Sequence, residues 1–329
     1  EGIADVVVVG AGASGAAFTW SLAQAGINVV CLEQGGWVAE DAFPTSDADA
    51  QIHLQTDFHP DPGFRGLPAD YPVNETETPI APLMYNAVGG SLIHWGAHFP
   101  RFHPSDFRVK TLEGVAEDWP VTYEELEPYY DENDRMMGVS GLMGDPAYPE
   151  KPERPCPPLS IRKSGELLAK ALDKLGWHWW ASDTAVSSVS YDGRDPDMGG
   201  FLRSFASADL NYWPAALKGG ARLEIHARVR EILVDESGNA TGVLYYQDGE
   251  LKEQKAKVVV LACNGIGTAR LLLNSTSAIF PNGLANSSGL VGKCLMHHPV
   301  GSVLGVFDEW LGTEGGGPRG STMLSQEFY

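Results

Sequence analysis

The residues best placed to do chemistry lie near the start of the chain. Gly10, Gly12 and Gly15 stand in the G-x-G-x-x-G spacing, and Glu33 follows about where an acid would reach the hydroxyls of a ribose. The first glycine permits a tight turn, the second lets a pyrophosphate approach the backbone, and the third lets a helix close on a strand. Ala13 and Ser14 open that helix, whose N-terminal N–H groups and positive dipole end would face the phosphates. Glu33 would repel a 2′-phosphate. A second group is Val88-Gly89-Gly90-Ser91-Leu92-Ile93-His94-Trp95-Gly96-Ala97, rich in small residues with one imidazole. Its glycines let the backbone lie against a flat ring system such as an isoalloxazine. His94, His98 and His103 resemble a metal cluster only superficially. Gly96, Pro100 and Pro104 break any helix that would align them and no carboxylate is interleaved, so no metal is expected.

These residues need a scaffold, and its local signals are clear. Val6–Val9 reads as a strand buried on both faces, as in a parallel sheet. A helix is expected from about Ala13 to Ala25, stopped by Gly26, with a second strand over Asn28–Leu32. From Gly36 to Pro82 periodicity vanishes, which predicts a long surface excursion in which His53 and His59 are solvated. Thr122 and Glu125 stand in capping-box spacing ahead of a helix that Pro128 should kink or interrupt. Six prolines between Pro146 and Pro158 mark a semi-rigid connector and a domain crossover. An amphipathic helix follows, with Leu168, Leu172 and Leu175 on one face and Gly176 as its stop. Trp177-His178-Trp179-Trp180 reads as a strand whose aromatics serve the core or an interface rather than a sugar site. Strands are expected at Leu223–Val234, Gly242–Tyr246 and Leu251–Lys255, a small antiparallel meander feeding the buried run Val258–Ala262 and then a helix over Thr268–Leu273. The intervening Asn264-Gly265-Ile266-Gly267-Thr268-Ala269-Arg270 imitates the first glycine turn. Arg270 stands where its third glycine should be, which argues against a second nucleotide site.

Composition narrows the function classes. The 329 residues suffice for one large or two smaller domains, and 43% hydrophobic with 20% charged residues is ordinary for a soluble globular protein. A formal net charge of −20 argues against nucleic acid and anionic membranes, and no apolar run reaches the length of a membrane span. The chain begins at Glu1 without Met or a signal-like segment, so it reads as processed, trimmed or cytosolic, and soluble in either a cytoplasmic or an exported setting. Cys31, Cys156, Cys263 and Cys294 have unrelated spacings. Cys31 and Cys263 are expected to be buried thiols rather than a disulfide, and no C-x-x-C suggests a zinc site.

Taken together these motifs resemble the glucose–methanol–choline (GMC) flavin oxidoreductases, and within them the large subunits of bacterial glucose, fructose and gluconate dehydrogenases. The resemblance rests on the N-terminal glycine motif, Val88-Gly89-Gly90 through His94-Trp95, Pro100-Arg101-Phe102, Asp118-Trp119-Pro120, Leu126-Glu127-Pro128-Tyr129-Tyr130, Leu261-Ala262-Cys263-Asn264-Gly265-Ile266, Pro281–Ser288, Val291-Gly292-Lys293 and His298-Pro299. It implies an α/β fold. A Rossmann-like FAD-binding domain with its β-meander would comprise residues 1–145 and 205–300. The beginning of an α+β substrate-binding domain would comprise 146–204 and 300–329. It further implies FAD bound by Gly10, Gly12, Ala13, Ser14, Gly15, Glu33, Gln34, Val88, Gly89, Gly90, Ser91, His94, Trp95, Gly96 and Ala97. The backbone of Val229 would meet the adenine, and Ala262 would lie near the pyrophosphate. The Gly-Gly-x-x-x-His-Trp run also resembles the flavin-attachment segment of pyranose 2-oxidase. This implies that His94 tunes the flavin and is joined to its 8α-methyl, the alternative being a histidine packed beside a dissociable flavin.

Two departures refine what the resemblance implies. Tyr191-Asp192-Gly193-Arg194 is followed through Phe201 by no cysteine, so the iron–sulfur cluster of the nearest dehydrogenases is not expected. The acceptor would be O2, a quinone or another soluble molecule. The family's C-terminal third, which supplies the catalytic histidine, has no match, so a second polypeptide or C-terminal piece is expected to complete the fold. No catalytic residue is assigned within the chain itself. The reaction implied is oxidation of a primary or secondary alcohol, on a sugar, polyol or other small substrate, by hydride transfer to flavin N5. Two rival readings are a flavin-binding fragment inactive alone, and a flavin monooxygenase or amine oxidase that shares only the nucleotide domain.

Overall fold

The structure is a computed structural model that describes residues 2–43, 52–78, 80–191, 205–298, 300–308, 311 and 322–329. In chain order its principal elements are β1 (Ala4–Val9), α1 (Ala13–Gln24), β2 (Val29–Leu32), α2 (Tyr123–Met137), α3 (Arg162–Leu175), β3 (Trp180–Ala181), α4 (Trp213–Lys218), β4 (Arg222–Glu224), β5 (Arg228–Val234), β6 (Ala240–Gln247), β7 (Glu250–Leu261), α5 (Asn264–Asn274) and β8 (Met323–Leu324). They fall into two compact units. One comprises 1–95 and 207–303, the other 96–206 and 304–329.

The first unit is built on a six-stranded sheet in the order β4-β2-β1-β7-β6-β5. β1 is hydrogen-bonded in parallel to β2 on one side and β7 on the other, which leaves Val7 and Val8 fully buried, as the valine run predicted. β4 extends this parallel half beyond β2, while β5, β6 and β7 form the antiparallel meander. Two expected strands, Leu251–Lys255 and Val258–Ala262, are one. The Glu250–Lys255 half of β7 pairs with β6 and the Ala256–Leu261 half with β1. Conversely, the expected strand Leu223–Val234 is two. His226 takes φ 55°, and between β4 and β5 the chain turns so that His226 N bonds Gly35 O at 3.0 Å and Ala227 N bonds Glu33 O at 2.7 Å. The core gathers Val7, Val9, Val30, Leu32, Ile232, Val243, Tyr245 and Leu271.

The excursion between β2 and the glycine-rich segment is less loose than its composition predicted. Asp61 caps the short helix Pro62–Arg65 by accepting from Gly63 N. Arg65 pairs with Asp70 at 2.7 Å, Asp70 accepts from Asn86, and Arg228 donates to the carbonyls of Pro68, Ala69 and Asp70. His53 and His59, expected to be solvated, are half-buried against Phe58 and Phe64.

The second unit holds α2, α3 and the short β3–β8 ladder, in which Trp180 pairs with Leu324. Of the strand expected over Trp177–Trp180 only its last residue is in strand. The Thr122–Glu125 capping box forms in both directions, and α2 runs through Pro128 without interruption. α3 ends at Gly176 in the left-handed conformation, as expected, yet Ala169 is its one fully buried residue and Leu168 and Leu175 are exposed. The proline-rich stretch lies within this unit, which includes residues 96–206. It delivers Lys151 and Arg154 into the interior, where Lys151 pairs with Asp183 at 2.8 Å, and Arg154 bridges Asp183 and Asp134. Arg101 also binds Asp134. These ion pairs tie residues 101, 134, 151, 154 and 183 together within the unit.

Candidate nucleotide-binding site

The glycine turn after β1 is held from three directions. Ala11 N donates to Glu33 Oε2 at 2.8 Å, while Ala11 O accepts from Gly89 N at 3.0 Å and from Trp213 Nε1 at 2.9 Å. Gly15 has no room for a side chain: a Cβ there would stand 1.8 Å from the Gly10 carbonyl oxygen. α1 therefore starts close against β1, and its N-cap Gly12 makes no side-chain capping bond. The first N–H groups of the helix are left for another acceptor.

Opposite, Gly89 (φ 96°) and Gly90 (φ 58°) lead into a 3₁₀ turn, Gly90–His94. A Cβ on Gly90 would meet Gly12 Cα at 2.9 Å, so two glycine-rich backbones face each other at closest approach. Together they border a cavity of about 340 Å3. Of the sequence-predicted residues, Gly10, Gly12, Ala13, Ser14, Glu33, Gln34, Gly90, Ser91, Trp95, Val229 and Ala262 line it. Gly15, Val88, Gly89 and His94 are not among its lining residues, and Gly96 and Ala97 belong to the second unit.

Glu33 closes β2 as predicted. Its second oxygen accepts from Gly35 N at 2.8 Å, and burial raises its pKa although backbone N–H groups from Gly35, Ala11 and Gln34 oppose the shift. His94 is enclosed by aromatic rings, 4.5 Å from Phe58 and 4.4 Å from Tyr85 between centroids, and its Nε2 is buried with no hydrogen-bond partner. Burial first, then the positive charge of Arg65 and the neighbouring His59, lowers its pKa to about 4, so the imidazole is neutral at ordinary pH.

Sequence reading missed part of the wall. Tyr71 comes from the excursion, Tyr85 and Asn86 come from the residues just ahead of Val88–Ala97, and Cys263, Asn264, Gly267, Arg270 and Leu271 come from the turn and helix after β7. That second glycine-like turn lends residues to the first cavity. It starts α5 at Asn264, earlier than the expected Thr268, and faces the first cavity. The sequence signal was present in Asn264-Gly265-Ile266-Gly267, whose purpose depends on β7 lying beside β1.

A dinucleotide's requirements are met here by glycine backbone at closest approach, an open helix N-terminus, and a carboxylate at the end of the second strand. A profile of the GMC oxidoreductase family matches residues 5–300. The chain belongs to the GMC oxidoreductases. Among its GMC relatives, it is 45% identical to the 2-methyl-1,2-propanediol dehydrogenase of Mycolicibacterium austroafricanum, over 99% of this chain and 60% of that protein. It is 30% identical to the fructose dehydrogenase large subunit of Gluconobacter japonicus, over 90% of this chain and 58% of that protein. Pyridoxine 4-oxidase shares the fold at a TM-score of 0.57 and 18% identity, over 83% of this chain and 52% of the other. The chain thus spans about 60% of the length of the relative it matches over 99% of its own. Membership implies FAD as the cofactor. No described helix is long and apolar enough to cross a membrane. The segment read as free of an iron–sulfur motif, Asp192–Phe201, lies outside the described residues.

Proposed function

We propose that this chain is the FAD-binding part of an enzyme that oxidises an alcohol group to a carbonyl. The observation that carries the reading is the cavity between the Gly10–Gly15 turn and the Gly89–Gly90 backbone, with Glu33 at its edge. Bound FAD supplies a two-electron acceptor for the hydride of the carbinol carbon. The N–H groups of Ala13, Ser14 and Gly15 hold the pyrophosphate, Glu33 orients the ribose, and the Val229 backbone meets the adenine. Val88–Gly90 and Ser91–Trp95 abut the ring end. Gly96 and Ala97 continue that segment into the second unit.

His94 is the point of covalent attachment in this reading. Its neutral imidazole and unpartnered Nε2 support a nucleophilic role, because only the neutral ring offers a free lone pair. Residues 1–95 and 207–303 serve FAD, and the second unit contributes to the substrate domain. The alcohol's hydroxyl proton goes to a base supplied by polypeptide beyond the segments assigned here. Small diols are the first substrates to try, given the named activity of the relative at 45% identity. The cysteine-free stretch after Tyr191 supports O2, a quinone or a soluble acceptor as the electron exit.

The deciding experiment follows carbonyl formation from 1,2-diols and sugars by the full-length protein, with oxygen uptake and dye reduction recorded in parallel. Stoichiometric carbonyl with reduced flavin is expected. Flavin-dependent hydroxylation or amine oxidation without alcohol turnover overturns the reading. Denaturing intact mass adds the second test: a flavin-sized increment lost in His94→Ala supports attachment there, and an unmodified wild-type mass rejects it.

A further inference from the structure

Arg270 is a cation on the cavity wall with no carboxylate partner among the described residues. Its guanidinium carbon stands 4.2 Å from the centroid of the Tyr71 ring, and its Nε is buried with no hydrogen-bond partner. Among the described residues no carboxylate pairs with it. Glu33, the carboxylate of the same cavity, already accepts backbone N–H groups on both oxygens. The position is built rather than incidental. Tyr71 follows directly on Asp70, which is fixed by Arg65, Asn86 and, through its carbonyl, Arg228. Arg270 itself rises from α5 one residue before the buried Leu271, whose helix packs on β5. The neighbouring wall is apolar, formed by Ala227, Val229 and Leu271.

A guanidinium carried on one aromatic ring offers a second face to another π-surface and an in-plane N–H to an acceptor. An adenine nucleotide supplies both, a purine face and the oxygens of its ribose and phosphate. We propose that Arg270, seated on Tyr71, grips the adenylate end of the bound dinucleotide, stacking on the base and donating Nε–H to an oxygen of the nucleotide. This rests on the FAD reading above and adds a residue to it. The turn whose arginine breaks the glycine pattern is then a wall of the first nucleotide site.

The test is calorimetric titration of ADP into the full chain produced in flavin-starved cells, so that no FAD is bound or attached. ADP carries the adenylate and cannot be attached through a flavin methyl, so the outcome is independent of His94. Wild type is expected to bind ADP, and Arg270→Gln to bind it about tenfold more weakly. Arg270→Lys keeps the charge but not the planar group, and is expected to be as weak as Arg270→Gln. Tyr71→Leu, which removes the ring beneath Arg270, should weaken binding in the same direction. Wild-type affinity in both Arg270 variants overturns the inference, and so does full rescue by Arg270→Lys, which would reduce the residue to a point charge. A wild-type chain that binds neither ADP nor FAD overturns the cofactor reading together with it.

Discussion

Glu33 gives one oxygen to Ala11 N and the other to Gly35 N, so its carboxylate braces the glycine turn while standing at the cavity edge. Glu33→Gln replaces one acceptor by a donor facing a buried N–H. The expected loss is about 2 kcal/mol in urea denaturation of the flavin-free protein, and an unchanged midpoint would remove Glu33 from this bracing role. Gly15→Ala is expected to be harsher, at least about 3 kcal/mol, because its Cβ has nowhere to go beside Gly10 O. At His94 the direction with pH follows from burial. An imidazole lowered from 6.5 to about 4 contributes stability that is fully present above pH 6.5 and is lost as pH falls through about 4. Melting temperatures of wild type should therefore fall more steeply over that range than those of His94→Phe, and parallel curves would contradict it. Gly10, Gly12, Gly15 and Glu33 were legible because one βαβ turn contains everything that gives them meaning. Trp213 was not: its indole reaches Ala11 O across 202 positions of sequence, and nothing local distinguishes it from any other core tryptophan.

Among the elements, α2 shows how local chemistry is read correctly and the proline stretch shows how it is not. The Thr122–Glu125 capping box lies within one turn, and Thr122→Ala should cost about 1 kcal/mol by chemical denaturation. Prolines announce extended backbone but not what that backbone carries. Lys151 and Arg154 meet Asp183 and Asp134 over separations of 32 and 20 residues, contacts that only the folded unit reveals. Asp134 is the more exacting member of this network. Burial raises its pKa while Arg154 and Arg101 pull it down, and it binds both guanidinium groups. Asp134→Asn would leave two buried cations short of an anion, with an expected loss of about 3–5 kcal/mol. A denaturation midpoint that does not move would show the network to be dispensable.

At the scale of the whole molecule, a formal charge of −20 surrounds a site read as taking an anionic dinucleotide. Entry is opposed at long range and favoured only by local donors, so the rate of flavin uptake should rise as added salt screens the repulsion. A rate that falls with salt would mean that a positive field guides the ligand instead. The charge was plain from the sequence. The chain passes between its two units at Trp95/Gly96, Ala206/Ser207 and Val303/Leu304, and the sequence likewise led to domains assembled from separated stretches. One strand has a further consequence. β7 belongs over its first half to the antiparallel meander and over its second to the parallel sheet that carries the glycine turn. The meander is therefore no detachable ornament that could be grafted elsewhere or allowed to fray alone. Deuterium exchange at the amides of Lys252 and Val259 should report a single opening event, and a ligand gripped at the far end of the sheet should slow both.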